Sequence, residues 1–154
     1  MPDIVLIWAA IIAFAVLAYV VLDGFDLGLG MLFFVTPREE ERKLMLASIA
    51  RVWDGNATWL VMGGGGLFAA FPLAYGVVMS ALYMPILAML MALIFRGVAF
   101  EFRERNESTR GAWDAGFALG SLVATFAQGA ALGALVQGVK VENGAFAGGA
   151  FDWL

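Results

Sequence analysis

Residues 4–35 read IVLIWAAIIAFAVLAYVVLDGFDLGLGMLFFV, an apolar run whose only charges are Asp23 and Asp26. A helix needs about 20 apolar residues to cross a bilayer, and this run exceeds that length. At 1.5 Å per residue it covers roughly 48 Å, against a hydrocarbon core of about 30 Å. The run therefore predicts a membrane helix that tilts, breaks or projects beyond the lipid. Composition agrees: 62% of the residues are hydrophobic, 14% are charged, and the mean hydropathy is +0.87. Soluble domains use about 45–50% apolar residues, so lipid is the solvent that fits this chain. The fold class expected is an all-α integral membrane protein.

Three further stretches complete the pattern. With the first they predict four transmembrane helices at about 4–35, 53–71, 73–95 and 113–137, joined by loops at about 36–52 and 96–112. The first loop, TPREEERKLMLASIAR at 36–51, reads as a short amphipathic surface helix with Pro37 at its start. Basic residues are strongly sided. Arg38, Arg42, Lys43 and Arg51 lie in the first loop, Arg96, Arg103, Arg105 and Arg110 in the other, and Lys140 stands apart. The positive-inside rule then places both loops in the cytoplasm and the amino terminus outside. The ending Asp152-Trp153-Leu154 reads as an interruption before a further apolar segment, so a truncated or fragmentary chain is expected.

Several chemistries are excluded. Without cysteine the chain holds no disulfide, zinc–thiolate site or iron–sulfur cluster, and without histidine it lacks the commonest haem and copper ligand. Its eight methionines sit mostly in apolar surroundings and read as packing. A net charge of −4 argues against nucleic acid as a partner.

Asp23 and Asp26 are the residues that most need explaining. Three positions apart, they share a helix face. An Asp at the bilayer centre costs about 2.5–3.5 kcal/mol, so the pair needs a partner, water or proton. One reading is a proton-carrying pair facing the bundle interior; the other is a pair of acids tied to loop arginines. Asp54 and Asp114 open outward-running helices, where a capping or dipole role serves as well as a proton role. Asp54 belongs to the group Trp53-Asp54-Gly55-Asn56, either a proton entrance or an interfacial aromatic belt. Gly63, Gly64, Gly65 and Gly66 lie inside an apolar span and read as a helix-packing surface. No Lys-Ser or Lys-Thr follows them, which excludes a phosphate loop.

In this order the motifs Asp23-Gly24-Phe25-Asp26-Leu27-Gly28, Trp53-Asp54-Gly55-Asn56, Gly63-Gly64-Gly65-Gly66-Leu67-Phe68-Ala69-Ala70-Phe71-Pro72, Phe95-Arg96-Gly97-Val98 and Trp113-Asp114 resemble subunit II of the cytochrome bd quinol oxidases, in its amino-terminal half. The resemblance implies half of an eight-helix subunit in a bacterial-type cytoplasmic membrane. It implies a haem-bearing subunit I as partner, with room for a small accessory subunit, and a membrane quinone as substrate of the complex. Haems would belong to the partner, and none would be ligated by this chain. The complex would oxidise quinol and reduce dioxygen to water. Trp53 and Asp54 would form a cytoplasmic proton entrance, with Asp26 and Asp114 as supporting acids and Asp23 matching the motif. Two other readings stay open: half of a proton-coupled secondary transporter, and a purely structural membrane subunit.

Overall fold

The computed structural model describes residues 2–105, 107–149 and 151–153; Leu154, the last residue of the predicted interruption, lies outside them. The elements in chain order are α1 (Pro2–Leu32), α2 (Glu39–Ile49), α3 (Trp53–Ala70), α4 (Pro72–Ala81), α5 (Tyr83–Phe102), a 3-10 turn (Glu107–Thr109) and α6 (Arg110–Gln137). A two-stranded hairpin follows, with β1 (Val141–Glu142) paired antiparallel to β2 (Ala145–Phe146). The hairpin is a small appendage to an otherwise all-helical chain, as expected. Its turn is Asn143-Gly144, both at positive φ, the pairing that two-residue hairpins favour.

Antiparallel packing runs through the bundle. Asn56 meets Asp26, Gly63 meets Val16 and Gly66 meets Ile12, so α3 climbs α1 as residue numbers on α1 fall. Along α5 and α6, Arg103 meets Asp114, Arg96 meets Ser121, and Leu82 clusters with Ala134. Gly30 of α1 lies against Ser121 and Phe117 of α6. The first of these long helices is unbroken through Leu32, then tightens into i→i+3 bonds from Phe33, Phe34 and Val35. Large apolar side chains such as Ile4, Leu6, Phe14, Leu17, Phe25, Met91 and Ile94 stand exposed on outward faces, as a lipid-facing surface requires.

Among the described residues, three segments are long and apolar enough to cross a membrane: Asp3–Leu32, Tyr83–Phe102 and Glu107–Gln137. The expected count was four. α3 has 18 residues, but its opening turn carries Asp54 and Asn56 and its middle holds four glycines, which dilute its hydropathy.

The apolar stretch 73–95 is not one helix. It breaks at Leu82, and the cause is Pro85 three residues on. Proline has no N–H to donate to the Ala81 carbonyl, and its ring would collide with it. α4 therefore stops at Ala81 and α5 restarts with Pro85 in its first turn. The second loop is also shorter than 96–112, because α5 continues to Phe102. Met89, Ala92, Arg96, Ala99 and Arg103 recur at helical spacing and all are buried, so the seam against α6 carries the helix past its first charge.

The four-glycine run divides by face. A Cβ on Gly63 or Gly66 would press on Val16 or Ile12 at 3.1 and 3.3 Å, whereas Gly64 and Gly65 face open space. Gly30 is more constrained, since a Cβ there would collide with the Ser121 hydroxyl. Gly30→Ala is expected to lower stability by about 1–3 kcal/mol through overpacking. Gly65→Ala is expected to be neutral or to gain up to about 1 kcal/mol from helix propensity. Thermal unfolding in detergent measures both. A neutral Gly30→Ala would contradict the close approach of α1 and α6.

Candidate functional site

Two tiers of charge sit at the end of the bundle where α1 and α5 finish and α3 and α6 begin. The inner tier lies between the helices. Asp23 and Asp26, on the buried face of α1, are 2% and 0% exposed. Arg96 reaches them from α5, itself 4% exposed, with Nη1 4.0 Å from Asp23 Oδ1. Its Nε donates to the Ser121 hydroxyl at 3.1 Å, and its guanidinium lies over the Phe117 ring at 5.1 Å. From α3, Asn56 donates to Asp26 Oδ2 at 2.9 Å. Tyr19, one helical turn deeper than Asp23, is also buried.

The outer tier joins four segments. Asp114 of α6 accepts from Arg42 at 2.7 Å through Oδ2 and is gripped by Arg103 through Oδ1. Arg103 also binds Glu39 of α2 at 2.8 Å, and Arg110 approaches the other Glu39 oxygen at 3.5 Å. Arg42 turns back to donate to the Thr36 and Phe33 carbonyls at 2.7 and 3.0 Å, covering the end of α1. Such cations at a helix carboxyl end satisfy carbonyls left free by the last turn. Phe33 and Phe117, with ring centroids 5.1 Å apart, form the floor between the tiers. Arg42 lies over Phe33 and Arg96 over Phe117.

The predicted residues therefore separate. Asp23 and Asp26 are brought together inside the bundle. Asp114 is not a cap, because Thr109 holds the cap position and Asp114 is the fifth residue of α6. Both of its oxygens are taken by guanidinium groups. Asp54 is exposed in the first turn of α3, where its charge suits the helix dipole. Trp53 lies half-buried, 3.8 Å from the Cβ position of Gly97 and 5.7 Å from the Phe100 ring, lining with Arg96 the narrow gap above Phe117. Asn56 turns inward to Asp26 rather than outward beside Asp54.

Sequence reasoning missed Arg96 as an interior residue, along with Tyr19, Ser121 and the Arg42–Arg103–Glu39 set. The signal for Arg96 was the apolar Gly97-Val98-Ala99-Phe100 that follows it. The chain has no His or Cys, and of its eight methionines Met62, Met84 and Met91 are exposed on outward faces while Met89 is buried. Among the described residues no three His, Cys, Asp or Glu side chains converge on a metal position.

The electrostatics of the outer tier are those of a clasp. Burial alone would raise the Glu39 carboxyl and depress Arg103. The bonds between them and to Asp114, with Arg110 and Lys43 nearby, outweigh it, so Glu39 falls below its ordinary 4.5 and Arg103 rises. A lowered carboxylate stabilises the fold fully above its unfolded value and loses that contribution as pH falls through the folded one. Protection of the α2 amides from hydrogen exchange, relative to the unstructured rate at the same pH, is therefore expected to hold above about pH 4.5 and to fall below it, with Glu39→Gln removing that transition. Asp114→Asn removes one of the three carboxylates that Arg103 holds, leaving Glu39 and Glu104, and is expected to cost about 1.5–3 kcal/mol, read as loss of α2 protection. Unchanged exchange in Asp114→Asn would refute the clasp.

Comparison with known proteins places the chain in a family. The family model for cytochrome bd terminal oxidase subunit II matches residues 4–154. The chain is 42% identical over 136 residues to cytochrome bd-I ubiquinol oxidase subunit 2 of Escherichia coli strain K12, covering 86% of this chain and 36% of that protein. It is 39% identical over 136 residues to the probable cytochrome oxidase subunit 2 of Haemophilus influenzae, covering 86% and 36%. With cytochrome bd ubiquinol oxidase subunit 2 of Bacillus subtilis it shares 36% over 139 residues, covering 88% and 41%. The chain thus spans well under half the length of these curated relatives. A multi-pass membrane chain with this match over nearly all its residues belongs to the cytochrome bd terminal oxidase subunit II family.

Proposed function

We propose that this chain forms the amino-terminal helical part of a non-haem-ligating subunit II in a cytochrome bd-type quinol oxidase. In that reading α1, α3, the α4–α5 pair and α6 make four crossings of a bacterial cytoplasmic membrane. The amino terminus lies outside, and both basic connections face the cytoplasm. The partner is a haem-bearing subunit I, where quinol is oxidised and dioxygen is reduced to water. This chain holds helices in place and delivers protons from the cytoplasmic side.

One observation carries the proton role. Two carboxylates, Asp23 and Asp26, are buried beside a single facing guanidinium, Arg96; Asp26 Oδ1 and Arg96 Nη2 have no hydrogen-bond partner, and the Tyr19 hydroxyl stands beside Asp23. Buried polar groups without partners are costly, and within a bundle they mark where water or a proton completes the network. If both acids are ionised the group carries one uncompensated negative charge, and a single proton neutralises it. Asp54 and Trp53 stand between this group and the basic face, the first in solvent and the second beside Arg96. The route proposed runs from Asp54 past Trp53 to Asp26 and Asp23. Asp114 falls outside that route and serves as the counter-charge of the clasp, because neither oxygen is free.

Asp26→Asn in the whole oxidase is expected to lower quinol-dependent oxygen uptake by about 10²-fold with the haem spectrum retained, the lower end for losing a positioned proton group. Asp54→Asn is expected to lower it less, because bulk water partly replaces an exposed entrance. Full turnover and proton uptake in Asp26→Asn would remove the proton role from this chain.

A further inference from the structure

Asn56 does something that its neighbours in the motif do not. Asp54 and Gly55 are exposed on the first turn of α3, while Asn56 points into α1. Its Nδ2 lies 2.9 Å from Asp26 Oδ2 and 3.3 Å from the Leu22 carbonyl oxygen. The second contact decides the orientation of the amide. A backbone carbonyl only accepts, so the atom facing Leu22 must be the NH₂ group, whatever the ionisation of Asp26. That same nitrogen then donates to Asp26 Oδ2, which must accept. An oxygen held as an acceptor by a fixed donor is a poor place for a proton. Asp26 Oδ1 is the oxygen left over, fully buried and without a partner.

We propose that Asn56 is a positioning residue that selects which oxygen of Asp26 is protonated, reserving Oδ2 as the carbonyl oxygen and Oδ1 as the proton-bearing one. The inference rests on Asp26 being a proton carrier and adds how its orientation is set. Transfer is simple: a proton arrives on Oδ1 as Asp26 changes from carboxylate to acid, and the same O–H bond breaks on release. The bond to Oδ2 persists in both states, so the side chain does not rotate between them. The groups facing Asp26 are Asp23 and Tyr19 on its own helix, Arg96 from α5, and Asn56 from α3. From α6 comes Ser121, which is held by Arg96 and bonds to the Phe117 carbonyl. Leu22 ties the device to the backbone, because its carbonyl is the one that the Asp26 N–H meets four residues on in α1.

The test uses the assembled oxidase with Asn56→Ala and Asn56→Gln, the latter keeping an amide on a longer arm. The readouts are the pH profile of quinol-dependent oxygen uptake and the infrared C=O band of protonated Asp26, assigned by its loss in Asp26→Asn. Removing a donor to Oδ2 is expected to raise the C=O frequency. It is also expected to move the profile upward by about one pH unit, the size of one hydrogen bond to a charged group. Asn56→Gln is expected to shift both readouts in the same direction by less. A band and profile unchanged in both variants, while Asp26→Asn abolishes them, overturns the role of Asn56 alone. A profile unchanged in Asp26→Asn overturns the proton reading beneath it. A merely structural Asn56 would lower yield and leave the band of the surviving complex where it was.

Discussion

The guanidinium of Arg96, buried opposite Asp23 inside an apolar bundle, is the constraint around which the other features arrange themselves. A cation and two carboxylates in lipid are tolerable only if each meets charge, hydrogen bond or water. That requirement brings α1 and α5 to the same depth. Small residues then let the helices close on the group. Gly30 admits Ser121, and Gly120 passes within 3.0 Å of the Ala92 carbonyl at its missing Cβ, beside Arg96. Ser121 in turn accepts from Arg96, so the contact that sets helix distance also gives the cation one hydrogen bond.

A second layer of charge covers the inner one. Phe33 and Phe117 lie between the tiers, each beneath an arginine. Above them Asp114 and Glu39 draw Arg42 and Arg103 over the bundle end and fix α2 across it. Trp53 lines the remaining gap beside Arg96. In the outer tier both Asp114 oxygens are paired, while Glu39 Oε1 and Arg110 Nε have no hydrogen-bond partner; in the inner tier Asp26 Oδ1 and Arg96 Nη2 have none.

Much of this was legible in the sequence. The long apolar runs, the shared face of Asp23 and Asp26, and the small-residue surface at Gly63 and Gly66 follow from spacing alone. What escaped has physical causes. Pro85 broke a stretch whose hydropathy is continuous, because hydropathy does not register a missing N–H. Arg96 looked like a loop residue because charge ends an apolar window, yet its buried neighbours Ala92 and Ala99 belong to the same seam. Asp114 looked like a cap because its partner Arg42 is 72 residues away in sequence. Asn56 was grouped with Asp54, although helical geometry turns two positions apart to different faces.

A double-mutant cycle on Arg96→Gln and Asp23→Asn, read from unfolding of the assembled oxidase, tests most directly whether buried charge compensation organises the subunit. Arg96→Gln leaves Asp23 and Asp26 without their cation and Asp23→Asn leaves Arg96 to Asp26 alone, so the coupling between the two replacements isolates the Arg96–Asp23 pairing. The account predicts that the double variant is more stable than the two losses added, by about 1–3 kcal/mol of coupling. Strictly additive losses would mean that the two groups are neighbours without being partners, contradicting the account at its centre.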